Sequence, residues 1–341
     1  MINKSNIKIG LVGCGRISKY HINSILSFKN FNLVAICDND KKKLENYRHI
    51  NCEKYLSLNQ MLKENEFDIL VICTPNGLHY NQAKLALKYN INVIVEKPLS
   101  LTSNQCLILK REFKKKNKFI FVVMQNRFNP TISFLKKIKD RNYLGKIYFV
   151  IINVLWNRPQ MYFDQANWRG TKKLDGGVMI NQAIHYIDLV EWLVGPVKNI
   201  SSLVRKIDRN IETEDSATAI IEWKDKTIGS LNISVLAHKK NFEGSITIIG
   251  EKGNIKIGGR ALNEITHTTL SKKILSDKKI KSLNYYNKNI YGNGHTIFYK
   301  NLIKYINTNK NILPTAEDAI NVLKIIEAIK YSTKKKKVIK I

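Results

Sequence analysis

A run of β-forming residues, Ile7-Lys-Ile-Gly-Leu-Val12, opens directly into Gly13-Cys-Gly15-Arg-Ile-Ser18 and then into a segment with apolar residues at helical spacing. Ile17, His21, Ile25 and Phe28 recur on one face of that segment, which predicts a helix over about 17–28. A second apolar run, Asn32-Leu-Val-Ala-Ile-Cys37, follows and ends in Asp38. Few folds accept strand, glycine turn, helix, strand and acid in that order. Gly13 permits the tight turn. Gly15 lets the backbone approach a pyrophosphate at the helix amino terminus, where unpaired N–H groups favour an anion. Arg16 and Ile17 belong to the same loop, and Ser18 stands where a third small residue is usual. Asp38 suits the hydroxyls of a ribose and repels a 2′-phosphate, which favours NAD over NADP.

The pattern then repeats. Asp68-Ile-Leu-Val-Ile-Cys73 is a third buried strand, and it ends in Thr74-Pro-Asn-Gly-Leu-His79. Thr74, Asn76 and His79 thereby join the carboxyl-end crevice where open α/β sheets bind ligands. After a helix over 81–90, Asn92-Val-Ile-Val-Glu-Lys-Pro98 is a continuous apolar run cut short by a carboxylate, an ammonium and a proline. Such a run suits a strand covered on both faces, and a proline cannot continue its ladder. Glu96 and Lys97 are then placed at the mouth of a site, although a solvated Glu–Lys pair would look the same in isolation. The result is a doubly wound, Rossmann-type α/β domain over 1–124, closed by the strand Phe119-Ile-Phe-Val-Val-Met124.

At 341 residues the chain exceeds one ordinary core, so a second domain over 125–341 is expected, whose last helix can pack back on the first. Lys and Arg total 57 against 27 acids, a net charge of +30. The lysines are dispersed among Asn and Ile, and Lys41-Lys-Lys43 and Lys334-Lys-Lys-Lys337 lack interleaved aromatics. The charge reads as a compositional bias able to steer an anionic substrate, with no specific nucleic-acid partner. Five cysteines without a CxxC pair argue for reduced thiols and no metal site. No apolar run approaches the roughly 20 residues of a membrane span. No secretion signal opens the chain, so a cytoplasmic location is expected.

In the second domain, Gln125-Asn-Arg127 leaves the last parallel strand, and Pro130 starts a helix to about 139. A strand over 146–155 leads to Trp156-Asn-Arg158-Pro-Gln-Met-Tyr162 and Trp168-Arg169-Gly-Thr171. Guanidinium forks bind phosphate or carboxylate bidentately and aromatic faces receive rings, so Arg127, Arg158, Tyr162, Trp168, Arg169 and Thr171 are candidate substrate contacts. An ordinary loop with surface aromatics and arginines is the plainer reading. Asp175-Gly-Gly177 precedes a helix over 178–194, where Asn181, His185 and Asp188 share one face. Alternating strands over 197–204, 216–223, 227–235, 244–249 and 253–257 predict antiparallel meanders in an α+β domain. The lysine-rich stretch 272–289 reads as an exposed loop. His295 begins a further helix and either reaches the substrate or caps that helix.

The residues carry a family resemblance. Gly13-Cys-Gly15, Thr74-Pro-Asn-Gly-Leu-His79 and Glu96-Lys97-Pro98, at these separations, resemble the Gfo/Idh/MocA oxidoreductases. Asp175-Gly-Gly-Val-Met-Ile-Asn-Gln-Ala-Ile-His185-Tyr-Ile-Asp188 resembles that family's second signature. The resemblance, which spans nearly the whole chain, implies an open, mostly antiparallel sheet domain that carries the substrate site and mediates a homodimer or homotetramer. It also implies that Lys97 and His185 flank the carbon that loses hydride to NAD. Many members carry Asp four residues before that histidine. Here it is Asn181, an amide that cannot accept the proton, which leaves His185 as base. Asn in this context is similar to the branch acting on nucleotide-linked sugars, particularly the UDP-N-acetylglucosaminuronate 3-dehydrogenases of surface-polysaccharide (O-antigen) precursor synthesis. An inositol or simple-sugar dehydrogenase and a non-catalytic sugar sensor are the competing readings, the last disfavoured by an intact Lys97/His185 pair.

Overall fold

A computed structural model of the chain describes residues 4–259, 262–272, 276–285 and 293–341. In order, its elements begin with β1 (Ile7–Val12), α1 (Ser18–Leu26), β2 (Phe31–Cys37), α2 (Lys41–Glu45), β3 (Glu53–Tyr55) and α3 (Leu58–Glu64). There follow β4 (Ile69–Ile72), α4 (His79–Lys88), β5 (Asn92–Glu96), α5 (Ser103–Lys115) and β6 (Ile120–Val123). The second half holds α6 (Pro130–Asp140), β7 (Ile147–Leu155), α7 (Gln160–Asp164), α8 (Ile184–Val194), β8 (Val197–Arg205) and β9 (Ser216–Trp223). Next come β10 (Ile228–Ser234), β11 (Glu243–Gly250), β12 (Gly253–Gly258), β13 (Glu264–Leu270) and α9 (Asp277–Lys281). The chain ends with α10 (Gly294–Thr308), α11 (Ala316–Lys335) and β14 (Ile339–Lys340).

The chain divides into two compact units, Met1–Met124 with His295–Ile320, and Gln125–Gly294 with Asn321–Ile341. The stretch His295–Ile320, which sequence left in the second domain, groups with the first. In this unit Tyr299 of α10 is fully buried and stacks edge-on against Phe31, while Tyr305 does the same against Phe121. Val122 N–H donates to Pro314 O at 3.0 Å, so the returning chain covers the free side of β6.

Six parallel strands in the order β3-β2-β1-β4-β5-β6 form the first sheet. The order reverses between β1 and β4, and that switch point opens a crevice at the strand carboxyl ends. β5 is paired on both sides, and Val93, Ile94 and Val95 have no exposed surface. That is the burial expected of a continuous apolar run in a parallel sheet. Asn92 seals the other end of β5, donating to Asp68 O at 2.9 Å and accepting from Phe119 N–H at 3.0 Å.

The second sheet is eight-stranded and open, ordered β13-β12-β11-β7-β10-β9-β8-β14. It is mixed, since β7 and β10 run parallel while the other pairs are antiparallel. Alternation along each strand puts Val150, Ile152, Val154, Leu231, Ile233, Ile246 and Ile248 on the covered face. β13 was not foreseen, and the stretch expected as a loop over 272–289 contains α9, whose Ser276 cap accepts from Lys279 N–H at 3.3 Å. Residues 273–275 and 286–289 of that stretch lie outside the described residues. The helix expected over 178–194 is really two pieces, a π-helical turn at Met179–Ala183 followed by α8. No helix among the described residues is long and apolar enough to cross a membrane.

Because β5 anchors the first sheet, Ile94→Ala should cost about 2–5 kcal/mol through lost burial and a residual cavity. A urea titration of both proteins checks this. An unchanged midpoint would contradict the packing described for this strand.

Candidate active site

The glycine turn is dictated by a close approach. Gly13 has φ +95°, and a Cβ there would meet the Cys73 carbonyl carbon at 2.6 Å, so β1 and β4 can end side by side only with glycine. Gly15 differs, because a Cβ there would meet nothing within 4 Å. Open space therefore adjoins the backbone just before α1, which has no acid in its first turn. Ser18 Oγ donates to Gly15 O at 2.7 Å and shares a hydrogen bond with Tyr47 OH at 2.9 Å, holding the turn on the helix. Arg16 is exposed and Ile17 half-buried at the start of the helix. Asp38, buried at the end of β2, accepts from Cys14 N–H at 2.8 Å and from Asp40 N–H at 2.9 Å. Burial, with Asp38 beside it, pushes the Cys14 thiol up to about 12, so it stays protonated and inert. The open face at Gly15, the helix end and the carboxylate fit a dinucleotide.

In the loop after β4, Thr74 Oγ1 donates to Gln82 Oε1 at 2.6 Å, and Asn76 is buried in the turn that starts α4. His79 has no exposed surface, and its ring nitrogens lie 2.7 Å from Pro98 O and 2.8 Å from Thr74 O. Burial lowers its pKa against the pull of those carbonyls, and a neutral ring has one N–H, so it donates to one carbonyl while packing against the other between the β4 and β5 loops. The motif histidine thus acts as a structural tie.

Glu96 is buried at the end of β5 with its Oε1 2.9 Å from His21 Nε2 and 3.0 Å from His295 Nε2. Lys97 N–H donates to Glu96 Oε2 at 3.1 Å. Burial alone would raise this carboxyl, but the two histidines outweigh it and hold the group well below the usual carboxylate range. Lys97 is half-buried immediately after it. His295, expected at the substrate, is committed to Glu96.

In the second unit Asp175 organises the candidate residues. Its carboxylate accepts from Gly170 N–H at 2.6 Å and from the Asn181 side-chain amide, joining the arginine loop to the π turn. The wider π turn changes the spacing argument, because Asn181 lies within it and His185 only just beyond, so four residues no longer make one α-helical turn. His185 is buried, with Gln125 Nε2 3.4 Å from its Nε2. Arg127, expected at the substrate, instead forms a buried bidentate pair with Asp188 at 2.8 and 2.6 Å and lies against the Trp192 ring.

The other arginines differ from it. Arg158 donates to Asn157 O at 2.6 Å and to Asn241 Oδ1 at 3.1 Å, and its guanidinium lies over Trp156 and Tyr162. Arg169 sits 4.0 Å from the Tyr162 centroid and 5.4 Å from that of Trp168. Its Nε and Nη1 are buried with no hydrogen-bond partner among the described residues. Arg169 as a whole is half-buried, but enclosed N–H groups without acceptors on a cation are costly and point to an anionic ligand. Tyr162 OH accepts from Gln182 Nε2 at 3.3 Å, which links the cage to the π turn. Thr171 is turned inward, its hydroxyl donating to Trp168 O at 2.7 Å. Sequence reasoning missed Asp175, Gln125, Gln182 and His21 as site-building residues. His21 had shown only as a member of a buried helix face.

Comparison with known proteins gives a consistent result. Residues 7–124 match the Gfo/Idh/MocA model described as "Oxidoreductase family, NAD-binding Rossmann fold". Residues 136–341 match its "Oxidoreductase family, C-terminal alpha/beta domain". The structure resembles that of the WlbA dehydrogenase from Bordetella pertussis in complex with NADH and UDP-GlcNAcA, with TM-score 0.95 and 36% identity over 100% of this chain and 99% of that one. The corresponding complex from Chromobacterium violaceum gives 0.93 and 35%, over 100% and 97%. A 1-carboxy-3-chloro-3,4-dihydroxycyclohexa-1,5-diene dehydrogenase from Comamonas testosteroni is 26% identical over 72% of this chain and 63% of its own length.

The buried histidines have a pH signature. Burial, against the opposing pull of Glu96, lowers His21 below its ordinary 6.5, so as pH falls through that value the unfolded chain gains protons that the folded chain does not. Stability should fall with pH from about 6.5 towards the depressed folded value, with His79 adding to the decline. Melting temperatures from about pH 8 to about pH 5 should show a shallower slope for His21→Gln than for the unsubstituted protein. Equal slopes would contradict a neutral His21.

Proposed function

This chain belongs to the Gfo/Idh/MocA oxidoreductase family and is an NAD-dependent dehydrogenase, and we propose that it oxidises C3 of UDP-N-acetylglucosaminuronate. The observation that carries the substrate assignment is the Arg158–Tyr162–Arg169 cage, with two buried guanidinium nitrogens of Arg169, Nε and Nη1, unmatched among the described residues. A nucleotide-linked uronic acid brings the anions and the rings that such a cage receives. The two structures at 35–36% identity were obtained with UDP-GlcNAcA and NADH, which supports the same reading. The 3-keto product would serve surface-polysaccharide precursor synthesis, as the O-antigen.

Gly13, Gly15, Arg16, Ile17, Asp38, Thr74 and Asn76 would hold the dinucleotide, which when bound supplies the hydride acceptor. Oxidising a secondary alcohol also releases a proton from its hydroxyl, and His185 is assigned that proton. Asn181, an amide, cannot take it. It holds Asp175 and so the loop carrying Arg169. Lys97 is assigned a hydrogen bond to the same oxygen, stabilising charge that develops as the C–H bond breaks. Arg169 and Tyr162, with Trp168 and Arg158 beside them, orient the substrate's anionic portion. Arg127, whose Nε and Nη2 pair with Asp188, is not assigned that role.

The outer face of the eight-stranded sheet exposes Leu203, Ile220 and Ile228 at 58%, 69% and 49%, which favours assembly with a second copy. A homodimer or homotetramer is therefore expected from light scattering. A monomer at micromolar concentration would refute it.

Purified protein with NAD and UDP-N-acetylglucosaminuronate should form reduced nicotinamide, visible by absorbance, with an oxidant added to recycle it if turnover stalls. Lys97→Met and His185→Asn should each lower kcat by roughly 10²–10⁴-fold, the usual contribution of one acid–base group. Arg169→Met should mainly raise KM. Unchanged turnover in the first two variants would sink the assigned roles. No reduction with any of a panel of UDP-sugars would favour a sensor.

A further inference from the structure

We propose that His21 and His295 are positioning residues for Lys97, acting through Glu96, which they hold against the end of β5. The inference rests on the reading above in which Lys97 bonds the reacting oxygen.

The three side chains come from distant parts of the chain and meet inside the first unit. His21 lies on α1, Glu96 ends β5, and His295 sits in the first turn of α10, 199 residues beyond the glutamate. Side-chain exposure is 0% for His21, 7% for Glu96 and 2% for His295. A charge so enclosed costs several kcal/mol unless donors surround it. The protons that face Glu96 can be assigned. An ionised carboxylate only accepts, so each imidazole within 3.0 Å of Oε1 must present an Nε2–H to it. His21 then has a bare Nδ1, and Tyr299 OH, 2.8 Å away and kept protonated by burial, donates to it. The other carboxylate oxygen takes Lys97 N–H at 3.1 Å. A chain of donors thus runs from Tyr299 through His21 and Glu96 to the lysine's own backbone. The three rings also pack on one another, with His21 edge-on to both His295 and Tyr299.

Fixing the backbone at residue 97 matters because Lys97 is long and flexible, and it directs only if its root is held. Loss of about 1 Å of placement can cost on the order of 10²-fold in rate. The same donor set, two imidazoles and a carboxylate within 4.8 Å of one another, would also suit a zinc ion. A metal needs the Nε2 lone pairs, whereas the hydrogen bonds need those nitrogens protonated, and the Tyr299–His21 bond completes the second arrangement. The geometry therefore favours a hydrogen-bonded clamp.

The test compares His295→Leu, His295→Gln, Lys97→Met and the His295→Leu/Lys97→Met double variant in the full-length protein. NADH affinity, melting temperature, bound metal and steady-state constants are measured for each. His295→Leu should lower kcat by roughly 10–10²-fold with KM and NADH affinity within about twofold, since only the lysine's placement is disturbed. His295→Gln, which still donates an N–H, should recover most of the loss. The double variant should be no slower than Lys97→Met alone, because a residue acting through the lysine has nothing left to position. Should His295→Leu fail to fold, Glu96→Gln, of equal volume, takes its place in the same cycle. A folded His295→Leu or Glu96→Gln with unchanged kcat, beside an inactive Lys97→Met, overturns the clamp and leaves the role of Lys97 standing. Additive losses in the double variant also overturn the clamp. Stoichiometric zinc in the purified protein that disappears with His295→Leu overturns it in favour of a metal site. Unchanged turnover in Lys97→Met removes the role of Lys97, and the clamp with it.

Discussion

A carboxylate sealed inside a parallel sheet is the constraint around which the first unit is built. Glu96 ends a strand whose three preceding residues have no exposed surface, so water cannot solvate it. Its charge survives there because α1 and α10 each deliver an imidazole and Lys97 delivers a backbone N–H. This requirement explains why a segment almost 200 residues downstream belongs to the nucleotide-binding unit. The domain is incomplete as a first-third fragment, because a buried charge at its centre would lack a donor. Burial of Tyr299 and the edge-on contact of half-buried Tyr305 with Phe121 then secure the same segment that the electrostatics require.

In the second unit, three arginines that look equivalent in sequence are separated by their partners. Arg127 meets Asp188 in a two-point pair inside the protein, which fixes the turn bearing Gln125 against α8, and with it His185. Arg158 is met by the carbonyl of its neighbour Asn157 and by the Asn241 side-chain amide from the loop between β10 and β11. Arg169 has ring faces about its guanidinium but buried N–H groups without acceptors. Counting donors against acceptors, rather than counting arginines, is what identifies the residue suited to an external anion. Asp175 couples this loop to the π turn, so the anion cage and the histidine helix are parts of one hydrogen-bonded assembly.

Much of the first unit was legible because its signals are local. Gly13, the apolar strands and the acid at position 38 each dictate nearby backbone, and the five apolar strands were found within a residue or two, whereas the short polar edge strand β3 was missed. The Glu96–His295 contact was not legible, since nothing within 199 residues of sequence announces which histidine will face which carboxylate. His79 and Arg127 went the other way. Both stand in motifs that invite a ligand, yet backbone carbonyls and Asp188 occupy them. The π turn was hidden for a different reason. Hydrophobic spacing over 178–194 is satisfied by a helix throughout, and one wider turn shifts the faces by less than that pattern can register. The parallel pairing of β7 with β10 was equally silent, because it depends on a crossover through α7, α8, β8 and β9.

Asp38 shows how tightly recognition and fold are bound together. As an acid after β2 it reads as a ribose ligand, but its two oxygens already accept the Cys14 and Asp40 backbone N–H groups. A carboxylate has about four acceptor sites, so two hydrogen bonds leave capacity for hydroxyls while fixing the side chain before any ligand arrives. The neighbouring ammonium of Lys43, 3.5 Å away, is 45% exposed, and solvent screening limits how far it can offset the acid's repulsion of a 2′-phosphate. Exchanging Asp38 for a residue with no side-chain acceptor would therefore do more than remove a charge. It would leave the Cys14 N–H, buried in the glycine turn, without its acceptor. The carboxylate that shapes the turn is thus the group suited to a ribose, and only a substitution that keeps an oxygen acceptor, such as Asp38→Asn, would remove the charge while leaving the Cys14 contact in place.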